Sequence, residues 1–276
     1  MNDTLPSLPV DRITEELLSA LGAHRQISSL SARFSGLDLD AAYEVTAAIR
    51  RRREARGERV IGRKIGFTNR TIWPEYNVYA PIWGYVYDTT VQDLSECGGF
   101  CELQSFVEPR IEPEIVFGLR AAPRAGMDER ALLSCIDWVA HGFEIVQSLF
   151  ANWKFSAPDT VAAFGLHGAS LIGPRRFISE DEHDFWFCAL PAFKIDLLRD
   201  DLVVDHGRAA SVLNGPLSAF RHLVELLAGN PHNPPLRAGV IVSTGTLTRA
   251  FPVEAGETWH TVITGLPLDG ITLRLG

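Results

Sequence analysis

Hydrophobic positions recur with helical spacing over Asp11–Gly22, where Ile13, Leu17, Leu18 and Leu21 fall on one face and Gly22 follows as a stop. Leu39–Arg56 repeats the pattern, with Ala42, Val45, Ala48 and Ile49 inward, Gly57 after it, and Asp38 or Asp40 in position to cap it. The period then shortens. Val60–Phe67 reads as a strand, Thr68–Pro81 as a turn-rich aromatic stretch, and Gly84–Tyr87 as a short strand. Phe106–Leu119 alternates as a strand does, whereas Asp128–Gln147 predicts a long apolar helix. Val161–Ile172 is a glycine-punctuated strand or loop, and Phe193–Leu198 with Val203–Asp205 predicts a hairpin. Pro216–Leu227 reads as a helix opened by proline, and short β pieces with turns at Gly245, Gly256 and Gly265 follow Gly239. Without regular strand–helix spacing, the pattern predicts an α+β fold. A smaller N-terminal α/β segment, 1–92, precedes a β-rich domain, 93–276.

The chain has 276 residues, 46% hydrophobic and 22% charged, enough for a substantial globular core. A net charge of −8 disfavours nucleic acid and anionic membranes as partners, and the run Arg50–Arg53 reads as a solvated helix face. No apolar run reaches the roughly 18–20 residues of a bilayer span. Met1–Pro9 lacks the basic start and apolar core of a secretory signal, so a cytoplasmic protein is expected. Cys97, Cys101, Cys135 and Cys188 read as reduced thiols, since Cys97-Gly-Gly-Phe-Cys101 has no second pair at zinc-site spacing.

Candidate chemistry concentrates at Val107–Phe117. Glu112 and Glu114, two apart in a strand, project side by side together with Arg110. Adjacent carboxylates repel unless a cation or proton lies between them, and hard oxygen ligands suit Mg²⁺ or Mn²⁺. An exposed strand face with Arg110 as ion-pair partner is the other reading. Glu144 lies in an apolar run, where an acid is costly unless paired or metal-bound. His141, three residues earlier, shares a helical face with it and reads as a ligand, a base or a satisfied core histidine. Lys64, between Gly62 and Gly66, is either a base or oxyanion partner with a lowered pKa, or a lysine guarding a sheet edge. The Ser243–Thr248 turn offers hydroxyls and amides for a carboxylate, or is an ordinary turn. Nucleotide-binding glycine motifs and a nucleophile elbow are absent from the sequence.

Taken together, Gly62–Thr68, Glu112-Pro113-Glu114-Ile115, Phe143-Glu144-Ile145-Val146, Asn152–Phe155, Asp159-Thr160 and Val212–Pro216 resemble the 2-keto-4-pentenoate hydratase and 4-oxalocrotonate decarboxylase group of the fumarylacetoacetate hydrolase superfamily. The resemblance implies a β-rich roll with the smaller N-terminal part, assembled as a homo-oligomer. It implies Mg²⁺ or Mn²⁺ held by Glu112, Glu114 and Glu144, with Lys64 beside the substrate. The implied reaction hydrates a 2-hydroxy-2,4-dienoate to a 4-hydroxy-2-oxo acid in the degradation of aromatic compounds. Alternatives are decarboxylation of a 4-oxalocrotonate-type acid, C–C hydrolysis of an acylpyruvate using His141 with Glu144, and a non-catalytic binding role. Where many hydratases carry Ala-Asp-Asn after the Asp-Thr motif, this chain has Ala162-Ala163-Phe164, with His167 nearby. His167 is therefore a candidate to activate water, and Arg110, Phe164, Gly165, Thr244 and Thr246 are candidates to contact substrate.

Overall fold

A computed structural model describes residues 8–76 and 78–276, so the reading of Met1–Pro9 falls mostly on residues outside those described. The first two helices form where their apolar faces repeat, α1 (Val10–Gly22) and α2 (Leu39–Ala55). Asp38 caps α2, its carboxylate accepting from the Ala41 amide at 2.9 Å. Next come β1 (Val60–Gly66), α3 (Trp73–Tyr76), β2 (Ile82–Tyr87), β3 (Val91–Asp93), β4 (Phe100–Cys101) and β5 (Arg110–Leu119).

The long helix expected over Asp128–Gln147 does not form. A single short helix, α4 (Glu129–Leu133), gives way to an eleven-residue strand, β6 (Ile136–Val146). Almost every residue of β6 is buried, because the strand lies inside a sheet covered on both faces. Such a strand loses the alternation that separates it from a buried helix in sequence. Gly142 is the local signal: a Cβ there would meet the Leu171 carbonyl at 2.9 Å, as close strand pairing requires.

The chain continues through α5 (Ala157–Ala162), β7 (His167–Ile172), β8 (Arg176–Phe177) and α6 (His183–Ala189). The expected hairpin, β9 (Lys194–Arg199) with β10 (Leu202–Arg208), precedes α7 (Pro216–Ala228), which has proline in its first turn. The last strands are β11 (Ile241–Thr246), β12 (Phe251–Pro252), β13 (Thr258–Thr264) and β14 (Thr272–Leu275). The larger sheet runs β2-β1-β11-β5-β6-β7-β3, with β12 and β8 paired onto β5 and β6. The smaller runs β10-β9-β13-β14-β4. The architecture is α+β, and β1 reaches the larger sheet by pairing in parallel with the distant β11.

The main apolar core joins Ile13 and Leu17 of α1 to Trp83, Phe117, Phe150 and Phe220. A second cluster joins Phe143 and Ile145 of β6 to Leu197 and Trp259 of the smaller sheet. Each such side chain contributes roughly 1.5–3 kcal/mol of burial. These cores clamp β5 and β6 from both sides. Asp159 ties α5 to the N-terminal segment. Its buried carboxylate accepts from the amides of Ser31 and Ser156, both at 2.8 Å, and from their hydroxyls at 2.6 and 2.7 Å. All four cysteines are unpaired. Among the described residues no helix is long and apolar enough to cross a membrane.

Candidate metal centre

Antiparallel pairing of β5 with β6 sets Glu112 opposite Glu144 and Glu114 opposite Gly142. Glu112 and Glu114, two apart, share a face, and Glu144 reaches the same space from the next strand. One carboxylate oxygen from each lies within 4.8 Å of the others. Pro113, between the two glutamates, has no amide to give the sheet. The β11 register against β5 slips between Ser243 and Thr246, which pair with Val116 and Glu114, so the extra residue lies opposite Ile115. Gly245 occupies that slip with φ +95, and its amide turns onto Glu114 Oε2 at 3.1 Å. The Ser243 hydroxyl donates to the same oxygen.

Lys64 enters from β1. Its Nζ lies 3.2 Å from Glu144 Oε2 and donates to the Gly165 carbonyl at 3.3 Å. His167 lies behind Glu144. Its Nδ1 is 2.7 Å from Glu144 Oε1, and its Nε2 is 2.8 Å from the Thr90 hydroxyl. Glu114 and Glu144 are each 1% exposed, yet Glu114 Oε1 and Glu144 Oε2 have no hydrogen-bond partner. For Glu144 Oε2 the Lys64 ammonium supplies charge at ion-pair distance without hydrogen-bond alignment.

The charges follow from burial and mutual repulsion. Burial pushes the Glu112 pKa up to about 7, Lys64 pulling against it and Glu144 adding to it. Burial and then the charge of Glu144 hold the Glu114 carboxyl well above the usual range. Burial raises Glu144 too, but Lys64 and His167 outweigh it, leaving this carboxyl below its ordinary value. A lysine pKa lowered beside a bound metal is the expectation from sequence; with the carboxylates alone the pKa moves the other way. Burial lowers it, but Glu144, Glu112 and Glu114 together hold the ammonium above its usual value.

Three carboxylates against one ammonium leave two excess negative charges when all are ionised. Like charges about 4 Å apart cost roughly 4 kcal/mol at a near-surface dielectric. Glu114 Oε1 is buried without a donor, Glu144 Oε2 has only the Lys64 ammonium at ion-pair distance, and all three candidate ligands are hard oxygens. This donor set fits one divalent cation of the Mg²⁺, Mn²⁺ or Ca²⁺ kind.

Beside the carboxylates lies a cavity of about 60 Å³. Lys64, Glu112 and Glu114 form its acidic end, and Phe67, Trp153 and Phe155 an aromatic wall. Arg110 lines it with its guanidinium 4.2 Å from the Trp153 ring centre. Arg249 lines it too, paired with Glu75 at 3.1 Å.

Of the residues singled out in the sequence, Lys64, Glu112, Glu114, Glu144, Arg110, Gly165 and Thr246 gather around this centre. Three others do not line the cavity. The Thr244 hydroxyl turns into the sheet and donates to the Ile115 carbonyl at 2.9 Å. Phe164 packs below α2 with Tyr85 and Tyr87, because its neighbour Gly165 takes the cavity position. His167 touches Glu144 from behind instead of facing the substrate space.

His141 resolves to the core histidine. On a strand it points away from Glu144, so the shared helical face disappears. Its Nδ1 is 3.0 Å from the Glu114 carbonyl and its Nε2 is 2.9 Å from the Thr261 hydroxyl. Nδ1 must then carry the proton, since a carbonyl only accepts. Burial pushes its pKa down to about 4, so the ring is neutral.

Ser243 and Gly245 were read only as part of a turn able to hold a carboxylate, and Thr90 was not singled out. The hydroxyl-rich turn was visible, but which of its residues face Glu114 is set by the β11 slip opposite Ile115, a tertiary feature.

No family model matches the chain. It is 29% identical over 255 residues to a 2-hydroxyhexa-2,4-dienoate hydratase of Comamonas testosteroni, covering 91% of this chain and 92% of that protein. It is 30% identical over 261 residues to a 4-oxalocrotonate decarboxylase of Pseudomonas putida, covering 93% of this chain and 94% of that protein. Among solved structures, 4-oxalocrotonate decarboxylase from Pseudomonas putida G7, complexed with magnesium and adipate, superposes with TM-score 0.86 at 27% identity over 97% of both chains. A yeast fumarylacetoacetate hydrolase family protein shares the fold at TM-score 0.52 and 13% identity, over 77% of this chain and 91% of that one.

Proposed function

Because the chain belongs to the 2-keto-4-pentenoate hydratase and 4-oxalocrotonate decarboxylase group of the fumarylacetoacetate hydrolase superfamily, we propose that it is a divalent-metal-dependent hydratase. Its substrate is a 2-hydroxy-2,4-dienoate, and its product a 4-hydroxy-2-oxo acid. The observation that carries this reading is the cluster of Glu112, Glu114 and Glu144, with Glu114 Oε1 buried without a partner and Glu144 Oε2 met only by the Lys64 ammonium, beside a cavity. Those three residues would hold Mg²⁺ or Mn²⁺, which when bound supplies Lewis acidity toward the substrate's C1 carboxylate and C2 oxygen.

Hydration requires the C2 enol proton to leave as C5 gains a proton, giving an α,β-unsaturated ketone. Hydroxide from water then adds at C4 and C3 gains a proton, with negative charge gathering on the C2 oxygen in between. Lys64, held charged by the surrounding carboxylates, supplies a fixed positive charge for that oxygen. The Gly165 carbonyl orients its ammonium. Arg110, braced on Trp153, provides a second cation near the cavity. The wall of Phe67, Trp153 and Phe155 takes the carbon chain and excludes bulk water. His167 acts on Glu144, keeping one oxygen engaged so that the other faces the ion. Such an enzyme would work as a cytoplasmic homo-oligomer on a small acid, without nucleic acid or membrane.

Incubation with 2-hydroxypenta-2,4-dienoate and Mg²⁺ should bleach the diene absorbance, and stripping the metal with a chelator should stop it. Unchanged absorbance with an intact, metal-loaded protein would refute the hydratase reading. Decarboxylation of a 4-oxalocrotonate-type diacid is the second reading, favoured by one observation. Arg110 and Arg249 both line the cavity and offer charge for a second carboxylate. Release of CO₂ from 4-oxalocrotonate without loss of the simple dienoate would select it.

A further inference from the structure

Successive residues of β1 point to opposite faces of the sheet, so Arg63 projects away from Lys64 and the carboxylates. It is only 3% exposed. Its guanidinium lies 3.6 Å from the Tyr85 ring centre and 5.4 Å from that of Trp83. Nη1 donates to the Gly62 carbonyl at 3.0 Å and Nη2 to the Pro234 carbonyl at 3.3 Å, while buried Nε has no partner. Among the described residues no carboxylate forms an ion pair with Arg63. A buried charge without a counter-charge is among the costliest arrangements in a protein.

Arg63 lines a cavity of about 150 Å³ together with Arg50, Glu54 and Arg237. A single water needs roughly 10–15 Å³, so there is room for a polyatomic ligand. Arg50 reaches Glu54 at 3.5 Å, and its Nε is also buried without a partner. Arg237 is exposed, and no ion pair engages it among the described residues. Three guanidiniums therefore face one carboxylate. Burial pushes the Arg63 pKa down only to about 10, so it stays charged at neutral pH.

We propose that this cavity is a binding site for a small oxyanion, clamped by Arg63, Arg50 and Arg237 on the opposite side of β1 from the metal centre. Guanidiniums suit such a ligand because their fork of N–H donors matches the oxygens of phosphate or carboxylate. The tyrosine beneath holds Arg63 in place, so little side-chain freedom is lost on binding. The site is independent of the hydratase reading, since none of its residues touches the three glutamates.

Isothermal titration calorimetry on the intact protein tests it, with inorganic phosphate in one arm and acetate in another, each against chloride at matched ionic strength. Saturable binding is expected in one or both arms, the stronger arm identifying the source of the oxyanion. Arg237→Gln, at an exposed position that leaves folding intact, should weaken it about tenfold, or about 1.4 kcal/mol, and Arg50→Gln by a similar factor. Arg249→Gln, in the other cavity, should leave it unchanged. The assignment is overturned if neither anion binds saturably, which would mean water alone satisfies the arginines. It is equally overturned if Arg249→Gln, rather than Arg237→Gln, removes the binding.

Discussion

Replacing Glu114 by Gln should stabilise the metal-free protein while removing the stabilisation that a divalent ion provides. The carboxylate is 1% exposed, repelled by Glu144, and carries one oxygen without a donor. An amide keeps the acceptor for Ser243 and the Gly245 amide, and presents N–H groups to the neighbouring carboxylates in place of a bare oxygen. A buried unsatisfied group costs about 1–3 kcal/mol, so the substitution should recover an amount of that order in the chelated protein. For a chain of this size each kcal/mol moves Tm by roughly 2–4 °C, giving a rise of roughly 2–12 °C. Saturating metal reverses the order. An ion at about 1,000 times its Kd stabilises the parent by about 4.1 kcal/mol, more than the variant's advantage, whereas the variant gains little. Differential scanning calorimetry with chelator and then with a Mg²⁺ titration reads both limbs. A variant that melts below the parent in chelator, and that shows an equal metal-induced gain, would refute the reasoning.

Other substitutions probe the supports of the same centre. His167→Asn removes the contact on Glu144 Oε1 without entering the cavity, and should weaken Mn²⁺ binding about 10–100-fold as measured by electron paramagnetic resonance titration. An unchanged affinity would show that His167 does not position Glu144. Gly245→Ala places a methyl group against the Thr68 side chain at φ +95, so it should lower stability by more than about 1 kcal/mol in urea unfolding and weaken metal binding together. Glu58 supplies a pH test away from the centre. Burial raises its pKa, but hydrogen bonds from Arg53 and Thr89 outweigh it, so the folded value lies below the unfolded one. Stability from this pair is present above the unfolded pKa and lost as pH falls through the folded value. Glu58→Gln should therefore cost about 1 kcal/mol at neutral pH, with the difference from the parent vanishing in strong acid, read by urea unfolding across pH.

The fold class was legible because α1, α2, α7 and the β9–β10 hairpin are amphipathic or punctuated in ways that do not depend on distant neighbours. β6 was not. Its residues Ile136–Val146 are buried on both faces, and from a continuous apolar run no period can be read. That one misreading also misplaced His141, since residues three apart share a face on a helix and oppose each other on a strand. The two glutamates of β5 were legible from local spacing alone, but Glu144 joined them only through resemblance, because its cross-strand register lies beyond any local pattern. The Ser243–Thr246 turn shows the same limit. Which hydroxyl meets Glu114 depends on the slip opposite Ile115, so Thr244, adjacent in sequence, points into the sheet instead.

In the proposed enzyme three acids from two neighbouring strands enclose one dication facing the aromatic cavity. A crystal structure of the protein soaked with Mn²⁺ and oxalate, read by anomalous scattering, tests it most directly. One strong peak bonded to oxygens of Glu112, Glu114 and Glu144 is expected, with oxalate completing its coordination in the cavity. A peak that leaves Glu144 paired only to Lys64 and His167, or that appears elsewhere on the molecule, would contradict it.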